Sequence, residues 1–180
     1  MEFIETALNG AYLINYRNLQ DHRGSFVKTF VQSVFKSKGI EDTFPENFYS
    51  VSKKNVIRGM HFQTPPVDHG KLVYCLKGSI KDVLLDLRNG PDYGKFTSFT
   101  LEEGKPQAIY VPKGVAHGFL SLTEDSLVFY HVSSEYSPAN DKGINPLSFG
   151  FDWSVNSPIM STRDESHPEF KLFQTPFGKI

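Results

Sequence analysis

The residues with the clearest chemical potential share one short segment, Arg58-Gly-Met-His61-Phe-Gln, which is soon followed by Lys71. Histidine can exchange a proton near neutral pH, while arginine and lysine offer positive charge to an anion. On a regular strand Arg58 and His61 would face opposite sides, so both reach one cavity only if the strand bulges at Gly59. The alternative is a surface arginine beside a core histidine with satisfied hydrogen bonds. The segment alone leaves both interpretations open.

Two further segments carry polar side chains that an apolar core would not select. A Pro-x-Gly turn at Pro112 leads to His117 at the start of a predicted strand. Tyr130 and Tyr136 are six positions apart, so on an unbroken strand both phenols would face the same side. The alternatives are a core histidine and two tyrosines that pack as ordinary aromatic residues.

The elements that must position these residues are predicted to be short strands. Alternating or apolar runs are separated by turn residues about every 8–12 positions, the spacing of an antiparallel sandwich or barrel. The predicted strands are Ala11–Tyr16, Ser25–Phe30, Lys71–Leu76, Ser79–Leu87, Phe96–Leu101, Gln107–Val111, His117–Leu122 and Leu127–Val132. This pattern predicts a single all-β domain over residues 1–180, with the topology of a jelly roll.

Two short peripheral helices complete the predicted architecture. One covers Gln32–Lys38 and ends before Gly39. The other begins near Ser161, where Ser-Thr-Arg-Asp has the pattern of a capped first turn. Neither helix is long enough to form a layer of its own, so the core is expected to lie between sheets.

Composition limits the partners and the compartment. Of 180 residues, 39% are hydrophobic and 22% charged, and the formal net charge is −1, which argues against a nucleic-acid-binding surface. The N-terminal residues do not resemble a signal peptide, and no apolar run reaches the ~18–20 residues of a membrane span. Cys75 is the only cysteine and lies in the apolar run Leu72–Leu76, which predicts a buried, unreactive thiol and a reducing compartment. We expect a cytoplasmic protein without nucleic-acid or membrane partners.

Longer motifs extend over nearly the whole chain. They are Asp21-His-Arg23-Gly-Ser-Phe26, Ser52 through Gln63, Gly70-Lys71-Leu-Val, Gly78-x-Ile-x-Asp82-Val-x-x-Asp86-Leu-Arg88, Pro91-x-Tyr93-Gly94, Tyr110-x-Pro112-x-Gly114-x-Ala-His117-Gly-Phe, Tyr136-Ser-Pro138, Gly150-Phe-Asp-Trp153 and Ser161-x-x-Asp164. In these motifs, and in their order, the chain resembles the dTDP-4-dehydrorhamnose 3,5-epimerase family, which acts on nucleotide-linked 4-keto-6-deoxy sugars. The resemblance implies a cupin-type double-stranded β-helix, a jelly roll, that uses no cofactor and no metal.

The resemblance also implies a catalytic set. The 4-keto group acidifies the protons on C3 and C5 of the sugar, so inversion needs a base, a proton donor on the opposite face and a group that holds the enolate oxygen. His61 is implied as the base and Asp164 as the carboxylate that orients it. Tyr136 is implied as the proton donor, and Lys71 is expected beside the enolate oxygen.

A substrate-binding set follows from the same resemblance. Arg23 and Arg58 are expected to hold the diphosphate, because a planar guanidinium can donate two parallel hydrogen bonds. His117 and Tyr130 are expected to line the pocket. The full set comprises Arg23, Phe26, Lys28, Glu46, Phe48, Arg58, His117 and Tyr130. The family's homodimer, in which an aromatic-rich N-terminal strand completes the neighbour's sheet, is expected here as well.

Three of these positions depart from the family pattern and are predicted to decide the substrate. Lys28 stands where a glutamate is usual, and Glu46 and Phe48 lie in a segment that is usually more polar. The predicted reaction is inversion at C3, C5 or both, with dTDP-4-dehydro-6-deoxy-D-glucose as the expected substrate and dTDP-4-dehydro-L-rhamnose as the product. A single-centre epimerase that acts on a GDP- or CDP-linked sugar is the alternative.

Other classes of function remain to be compared with this prediction. A metal-dependent cupin would need two histidines and a glutamate close together, whereas His61-Phe-Gln63 supplies one imidazole and one amide. A 3,4-ketoisomerase would share the fold and the substrate type. A non-catalytic sugar-nucleotide-binding module would tolerate the loss of His61, Asp164 or Tyr136, and the presence of all three favours an enzyme.

Overall fold

The structure is a computed structural model that describes residues 1–40 and 43–178. Its strands are β1 (Glu2–Glu5), β2 (Tyr12–Asn15), β3 (Asn18–Asp21), β4 (Gly24–Val27), β5 (Glu46–Ser52), β6 (Ile57–Gln63), β7 (Lys71–Lys77), β8 (Ser79–Asp86), β9 (Phe96–Glu102), β10 (Gln107–Val111), β11 (Val115–Ser121), β12 (Ser126–Val132) and β13 (Asp141–Gly143). The helices are α1 (Gln32–Lys36), α2 (Thr162–Glu165) and a 3-10 turn at Phe170–Leu172.

Two antiparallel sheets face each other across the core. The larger has the order β1-β2-β10-β7-β12-β5 and the smaller has the order β13-β6-β11-β8-β9. From β5 to β8 and from β9 to β13, successive strands alternate between the two sheets, so each sheet is assembled from segments distant in sequence. This is the cupin-type jelly roll that the strand spacing and the resemblance predicted. The β3–β4 hairpin forms a separate two-stranded unit.

The core lies between the sheets because both contribute fully buried apolar side chains to it. Val73 and Ile109 come from the larger sheet, and Leu84 and Phe119 from the smaller. A second cluster lies outside the smaller sheet, where Trp153 and its neighbours in the C-terminal segment cover Met60 and Leu85. The C-terminal segment therefore packs on the smaller sheet, and it carries α2 toward β6.

All the predicted strands and both predicted helices are present, with shifts at their ends. The strand predicted over Ser25–Phe30 ends at Val27, and the helix predicted over Gln32–Lys38 ends at Lys36. Ser161 caps α2 as predicted, since its side chain accepts a hydrogen bond from the Asp164 backbone nitrogen at 3.1 Å. The pattern missed β1, β3, β5 and β13, which are short or largely exposed and so carry little alternation of apolar and polar residues.

The bulge predicted at Gly59 is confirmed by the pairing of β6 with β11. His61 lies opposite His117, and Arg58 lies opposite Phe119, so β6 contains one residue more than β11 over this interval. Gly59 has φ +152°, and a Cβ built on it would lie 2.6 Å from the Gly118 Cα. The extra residue turns Arg58 and His61 toward the same cavity, which a regular strand would not do.

Two other expectations concern the rest of the chain. Cys75 is buried, and burial raises the pKa of its thiol to about 11, which confirms the prediction of an unreactive cysteine. Within the described ranges, 1–40 and 43–178, no helix has the length and apolarity that crossing a bilayer requires.

Candidate active site

A cavity of about 260 Å³ opens between the sheets, where β5, β6, β7, β11 and β12 meet. Eight of the residues implied by the resemblance line it. They are Glu46, Phe48, Arg58, His61, Lys71, His117, Tyr130 and Tyr136. A volume of this kind accommodates part of a ligand and leaves the remainder at the open mouth. The structure thus brings together most of the predicted site from segments that span some 90 residues of sequence.

His61 and Asp164 form a hydrogen-bonded pair on the wall of this cavity. Nε2 of His61 lies 2.7 Å from Oδ1 of Asp164, and the backbone N–H of Gly59 donates to Oδ2 at 3.3 Å. The Asp164 side chain is 5% exposed, while the His61 side chain, which lines the cavity, is 30% exposed. Burial by itself raises the pKa of Asp164, but the hydrogen bond and charge of His61 and the Gly59 N–H lower it overall. The pair can therefore act as a base that is held and oriented from behind.

His117 belongs to a second pair on the neighbouring strand. Its Nε2 lies 2.7 Å from Oδ2 of Asp82, and both side chains are almost completely buried. Asp82 Oδ1 has no hydrogen-bond partner within the described chain. Because His117 faces His61 across β6 and β11, the cavity floor presents two imidazoles, each held by a buried carboxylate. The two histidines differ in exposure, since only the His61 ring is substantially open to the cavity.

Lys71 brings a cation to the cavity. Its ammonium group donates to the His61 backbone carbonyl at 3.0 Å, and the residue is 7% exposed. Burial lowers the pKa of Lys71 to about 8, although the nearby charges of Asp141 and Asp82 raise it. Below that pH the cavity holds a poorly solvated positive charge, which is the kind of group that stabilises a developing oxyanion.

Two phenols line the cavity, although they reach it by different routes. Tyr130 lies on β12, opposite Phe48 on β5, and their rings stack at 4.7 Å. Its ring also contacts that of His117 edge-on at 5.9 Å, and burial raises the pKa of its hydroxyl. Tyr136 is 59% exposed and lies beyond the end of β12 at Val132. The unbroken strand that would align the two phenols is therefore absent, and a loop delivers Tyr136 instead.

Hydrogen bonds from Glu46 and Gln63 hold that loop. The Glu46 carboxylate accepts from the Tyr136 backbone nitrogen at 2.8 Å. The buried Gln63 amide accepts from the Ser137 nitrogen at 2.6 Å and donates to the Ser134 hydroxyl at 3.1 Å and to the Glu135 carbonyl at 3.2 Å. Glu46 thus has an internal structural partner in addition to its place in the cavity wall.

Two guanidinium groups lie at the cavity. Arg58 is exposed, and it donates to the Ser52 hydroxyl at 2.9 Å and to the Val51 carbonyl at 3.3 Å. Arg163, which sequence reasoning did not select, also lines the cavity and pairs with Asp141 at 2.6 Å. The Arg58 guanidinium has no carboxylate partner in the described part of the chain, so its charge is available to an anion.

Three predicted binding residues lie elsewhere in this chain. Arg23, Phe26 and Lys28 belong to the β3–β4 hairpin or its continuation, all are exposed, and none lines the cavity. Arg23 forms a salt bridge with Asp21 at its own turn. Phe26 is 61% exposed, so its ring lies on the surface of this chain. Lys28 and Glu46, two of the positions that depart from the family pattern, do not form an ion pair with each other within the described chain: Lys28 follows β4, whereas Glu46 lines the cavity.

The structure adds residues that sequence reasoning missed. His69 lines the cavity near Lys71, and burial followed by the charges of Lys71 and Lys113 lowers the pKa of His69 to about 3, so its imidazole is neutral. Asp82 was visible in a motif, but without a predicted role. His167 lies beside Asp164, just after the end of α2, and its position only three residues later in the chain was a signal for proximity.

The metal alternative can be tested against the groups present. His61, Asp164 and His167 place three potential ligand atoms within 4.8 Å of one another, so three such groups do meet, contrary to the sequence expectation. However, His61 Nε2 and Asp164 Oδ1 are only 2.7 Å apart, whereas ligand atoms of a tetrahedral zinc site are separated by about 3.3 Å. The two atoms are arranged for a hydrogen bond to each other, and the set does not fit a metal centre.

Fold and site together define a cupin-type jelly roll whose pocket combines an oriented histidine with cationic groups for an anionic ligand. The chain belongs to the dTDP-4-dehydrorhamnose 3,5-epimerase family, whose sequence profile matches residues 5–172. A dTDP-4-dehydrorhamnose 3,5-epimerase of Methanothermobacter thermautotrophicus is 37% identical over 170 residues, and the match covers 91% of each protein.

Solved structures of relatives agree with this assignment. A dTDP-4-dehydrorhamnose 3,5-epimerase from Bacillus anthracis, solved with TDP and PPi bound, has a TM-score of 0.90 at 33% identity and covers 93% of this chain and 98% of its own. A dTDP-6-deoxy-D-glucose-3,5-epimerase from Legionella pneumophila, in complex with dTDP-4-keto-L-rhamnose, has a TM-score of 0.93 at 28% identity and covers 99% and 98%.

Proteins described as single-centre epimerases match as well. A dTDP-4-dehydrorhamnose 3-epimerase of Streptomyces niveus is 32% identical over 162 residues, covering 88% of this chain and 78% of its own. A 3'-monoepimerase from Streptomyces bikiniensis, solved with dTDP as a mutant with one histidine changed to asparagine and one tyrosine to phenylalanine, has a TM-score of 0.86 at 29% identity, with coverage of 93% and 86%. Family membership therefore does not by itself decide which carbon is inverted.

Proposed function

We propose that this protein inverts C3 and C5 of dTDP-4-dehydro-6-deoxy-D-glucose to give dTDP-4-dehydro-L-rhamnose, without a cofactor. The observation that carries the proposal is the His61–Asp164 pair, which faces a cavity that also holds the buried ammonium group of Lys71. A base next to a cation is what proton abstraction beside a ketone requires, because the enolate oxygen gains charge as the C–H bond breaks.

His61 is the proposed base, and its geometry assigns the reacting atom. Nε2 is engaged by Asp164 and donates to it, which leaves Nδ1 as the nitrogen that can accept a proton from the sugar. The Asp164 carboxylate then stabilises the imidazolium that forms. Lys71 is proposed to donate to the enolate oxygen, since its ammonium lies 3.0 Å from the backbone carbonyl of the same histidine.

Tyr136 is the proposed proton donor, and Tyr130 is the competing candidate. Tyr136 is the more exposed phenol, whereas burial keeps the Tyr130 hydroxyl protonated and in contact with the floor of the cavity. The two substituted positions of the Streptomyces bikiniensis mutant are 70 residues apart in its own sequence. Here His61 is 69 residues from Tyr130 and 75 from Tyr136, which supports testing the two phenols side by side.

Binding of the nucleotide is proposed to need a second copy of the chain. Arg58 is available to the diphosphate, and Phe48 lies at the cavity on β5, the outermost strand of the larger sheet. The hairpin of a neighbour beside β5 would bring Arg23, Phe26 and Lys28 to this opening. The exposed apolar side chains of Phe26 and Phe48, 61% and 45% exposed, support such an interface.

Incubation of the protein with dTDP-4-dehydro-6-deoxy-D-glucose in D₂O tests the proposed reaction. NMR of the product should show deuterium at C3 and C5 and the L-rhamno configuration. The His61→Ala variant should lose exchange at both carbons, with kcat/KM reduced by about 10³-fold or more, since base and orientation are lost together. Exchange at the wild-type rate in His61→Ala would contradict the assignment of the base.

The same experiment separates the alternatives. Label and inversion confined to C3 or to C5 would indicate a single-centre epimerase, and a product with its ketone at C3 would indicate a 3,4-ketoisomerase. Binding without exchange would indicate a non-catalytic module. Deuterium exchange and inversion should both be measured in Tyr136→Phe and in Tyr130→Phe. The proton donor is the tyrosine whose substitution abolishes inversion but leaves exchange. GDP- and CDP-linked 4-keto sugars serve as the nucleotide controls.

A further inference from the structure

His167 contacts both members of the His61–Asp164 pair but does not line the cavity. Its Nε2 lies 3.8 Å from Asp164 Oδ1, the same oxygen that His61 approaches at 2.7 Å. The rings of the two histidines meet edge-on, with their centroids 5.8 Å apart. Nε2 of His167 is buried and has no hydrogen-bond partner within the described residues. Buried polar atoms usually have a hydrogen-bond partner, so the unpaired Nε2 of His167 beside Oδ1 of Asp164 requires an explanation.

The strand opposite His61 leaves room for this second imidazole. Gly143 on β13 pairs with His61 on β6, and a Cβ built on Gly143 would lie 2.3 Å from His167 Nε2. Gly143 does not have a positive φ, so the backbone conformation itself does not demand glycine there. The absence of a side chain is instead required by the position of the His167 ring.

We propose that His167 is a positioning residue of the base, which acts on His61 through the shared oxygen Oδ1 of Asp164. At 3.8 Å the Nε2–H of His167 makes no hydrogen bond, but a shift of less than an ångström would create one. A second N–H on that oxygen disperses the carboxylate charge, and Asp164 then holds the proton of His61 less tightly. His61 is thereby kept free to accept a proton from the sugar at a lower pH. This inference rests on the proposed role of His61 as the base.

The charges around His167 favour its neutral form. Burial lowers the pKa of His167, and so do the charges of His61 and Arg163, while Asp164 and Asp141 oppose that shift. These groups lie on β6, α2 and β13, the elements packed against the ring. A neutral imidazole has one N–H, so the proposal requires that this hydrogen sits on Nε2.

Matched variants separate the hydrogen-bond donor from the packing of the ring. His167→Leu fills the space without an N–H, His167→Ala removes both, and His167→Gln retains a donor near the position of Nε2. The readout is the pH dependence of kcat/KM, together with thermal unfolding as a measure of folding. In the Leu and Ala variants we expect the acid limb of the kcat/KM profile to move to higher pH by about half a unit or more. Below that limb the shift corresponds to roughly a threefold loss of kcat/KM. In the Gln variant the limb should return to its wild-type position.

The outcomes decide the proposal. A shift in His167→Leu that His167→Gln reverses supports it. An unchanged profile in the Leu and Ala variants overturns it, and so does an equal loss in all three variants with no movement of the limb, since that pattern reflects packing alone. If the wild type shows no exchange with any 4-keto sugar nucleotide, the proposed function fails instead, and the protonation of His61 can still be followed by NMR in the same variants.

A measurement on the unaltered protein covers the case in which the variants do not fold. Imidazole nitrogen shifts of the 15N-labelled wild type report which ring nitrogen of His167 carries hydrogen. Hydrogen on Nε2 supports the proposal, and a bare Nε2 overturns it. Gly143→Ala offers a second route, because the new methyl group displaces the ring and should reproduce the shift of His167→Leu, whereas in a His167→Ala background it should add nothing further.

Discussion

At the scale of single residues, buried charges that have an ionic partner can be distinguished from buried charges that do not, and this difference distinguishes structural residues from residues of the site. Asp86 and Arg88 form a buried salt bridge, and Arg88 also donates to the Asn9 carbonyl at 2.9 Å, so this pair secures the end of β8. Lys71 has no such carboxylate partner in the described chain and instead lines the cavity. A buried charge that is neutralised by an ion pair within the protein is structural, whereas a charge at a cavity that is not fully neutralised is available to a ligand.

The pH dependence of the reaction should reveal Lys71. Its pKa is lowered to about 8, mainly by burial, so the ammonium carries its charge below that pH and loses it as the pH rises through 8. We expect kcat/KM in the free enzyme to fall above about pH 8 as stabilisation of the enolate weakens. Lys71→Met should lose about 10²–10³-fold in kcat at neutral pH.

Lys71→Arg provides the matched control, because arginine keeps its proton over the whole accessible range. That variant should have a lower rate but no decline near pH 8. A decline that persists in Lys71→Arg would assign the basic limb to another group, such as one of the two cavity phenols.

At the scale of elements, the bulged strand β6 and the short helix α2 have to meet for the base to exist. The bulge turns His61 to the cavity and points the Gly59 N–H at Asp164. Ser161 caps α2 and fixes the backbone at Asp164. Their meeting depends on Gly59 and Gly118, whose backbones approach too closely for a side chain between them.

Gly59→Ala should therefore reduce stability and activity together. The substitution combines a positive φ with a Cβ only 2.6 Å from the Gly118 Cα, and we expect a loss of roughly 2–4 kcal/mol in the free energy of unfolding. Gly104→Ala is the control, because Gly104 has φ +80° with open space around its Cα and should lose only about 1 kcal/mol. Urea unfolding measures both, and equal losses would show that close approach at Gly59 is unimportant.

At the scale of the whole molecule, the cavity of one chain contains the groups of the proposed chemistry but not all of the proposed binding residues. The cavity holds the base, the cation and the phenols, whereas Arg23 and Phe26 lie on an exposed hairpin away from it. A symmetric dimer in which each hairpin serves the neighbour's cavity would complete two identical sites.

Complementation tests this arrangement. His61→Ala and the double variant Arg23→Ala, Phe26→Ala should each be nearly inactive alone. After subunit exchange, mixed dimers would contain one intact site, and activity should recover to about a quarter of the wild-type value. Sedimentation establishes the oligomeric state of each sample. If the exchanged dimers recover no activity, the hairpin of one chain does not contribute to the cavity of the other.

Much of the fold could be predicted because burial alternates locally along strands such as β9 and β12, and because the cap at Ser161 is a three-residue pattern. Exposed or short strands escaped prediction, since nothing in β1 or β13 alternates clearly. Eight residues predicted for the site line one cavity, but Gln63 and Arg163 acquired roles only through contacts with distant segments.

The sequence by itself determined the strand-rich architecture and the identity of the chemical groups, because these follow from local patterning and residue type. Only the tertiary structure decided which groups meet. Asp164 reaches His61 across 103 residues and Asp82 reaches His117 across 35, and His167 joins the first pair through space left by Gly143. Such contacts depend on how the two sheets and the C-terminal segment pack, and that packing cannot be predicted from the local periodicity of the sequence.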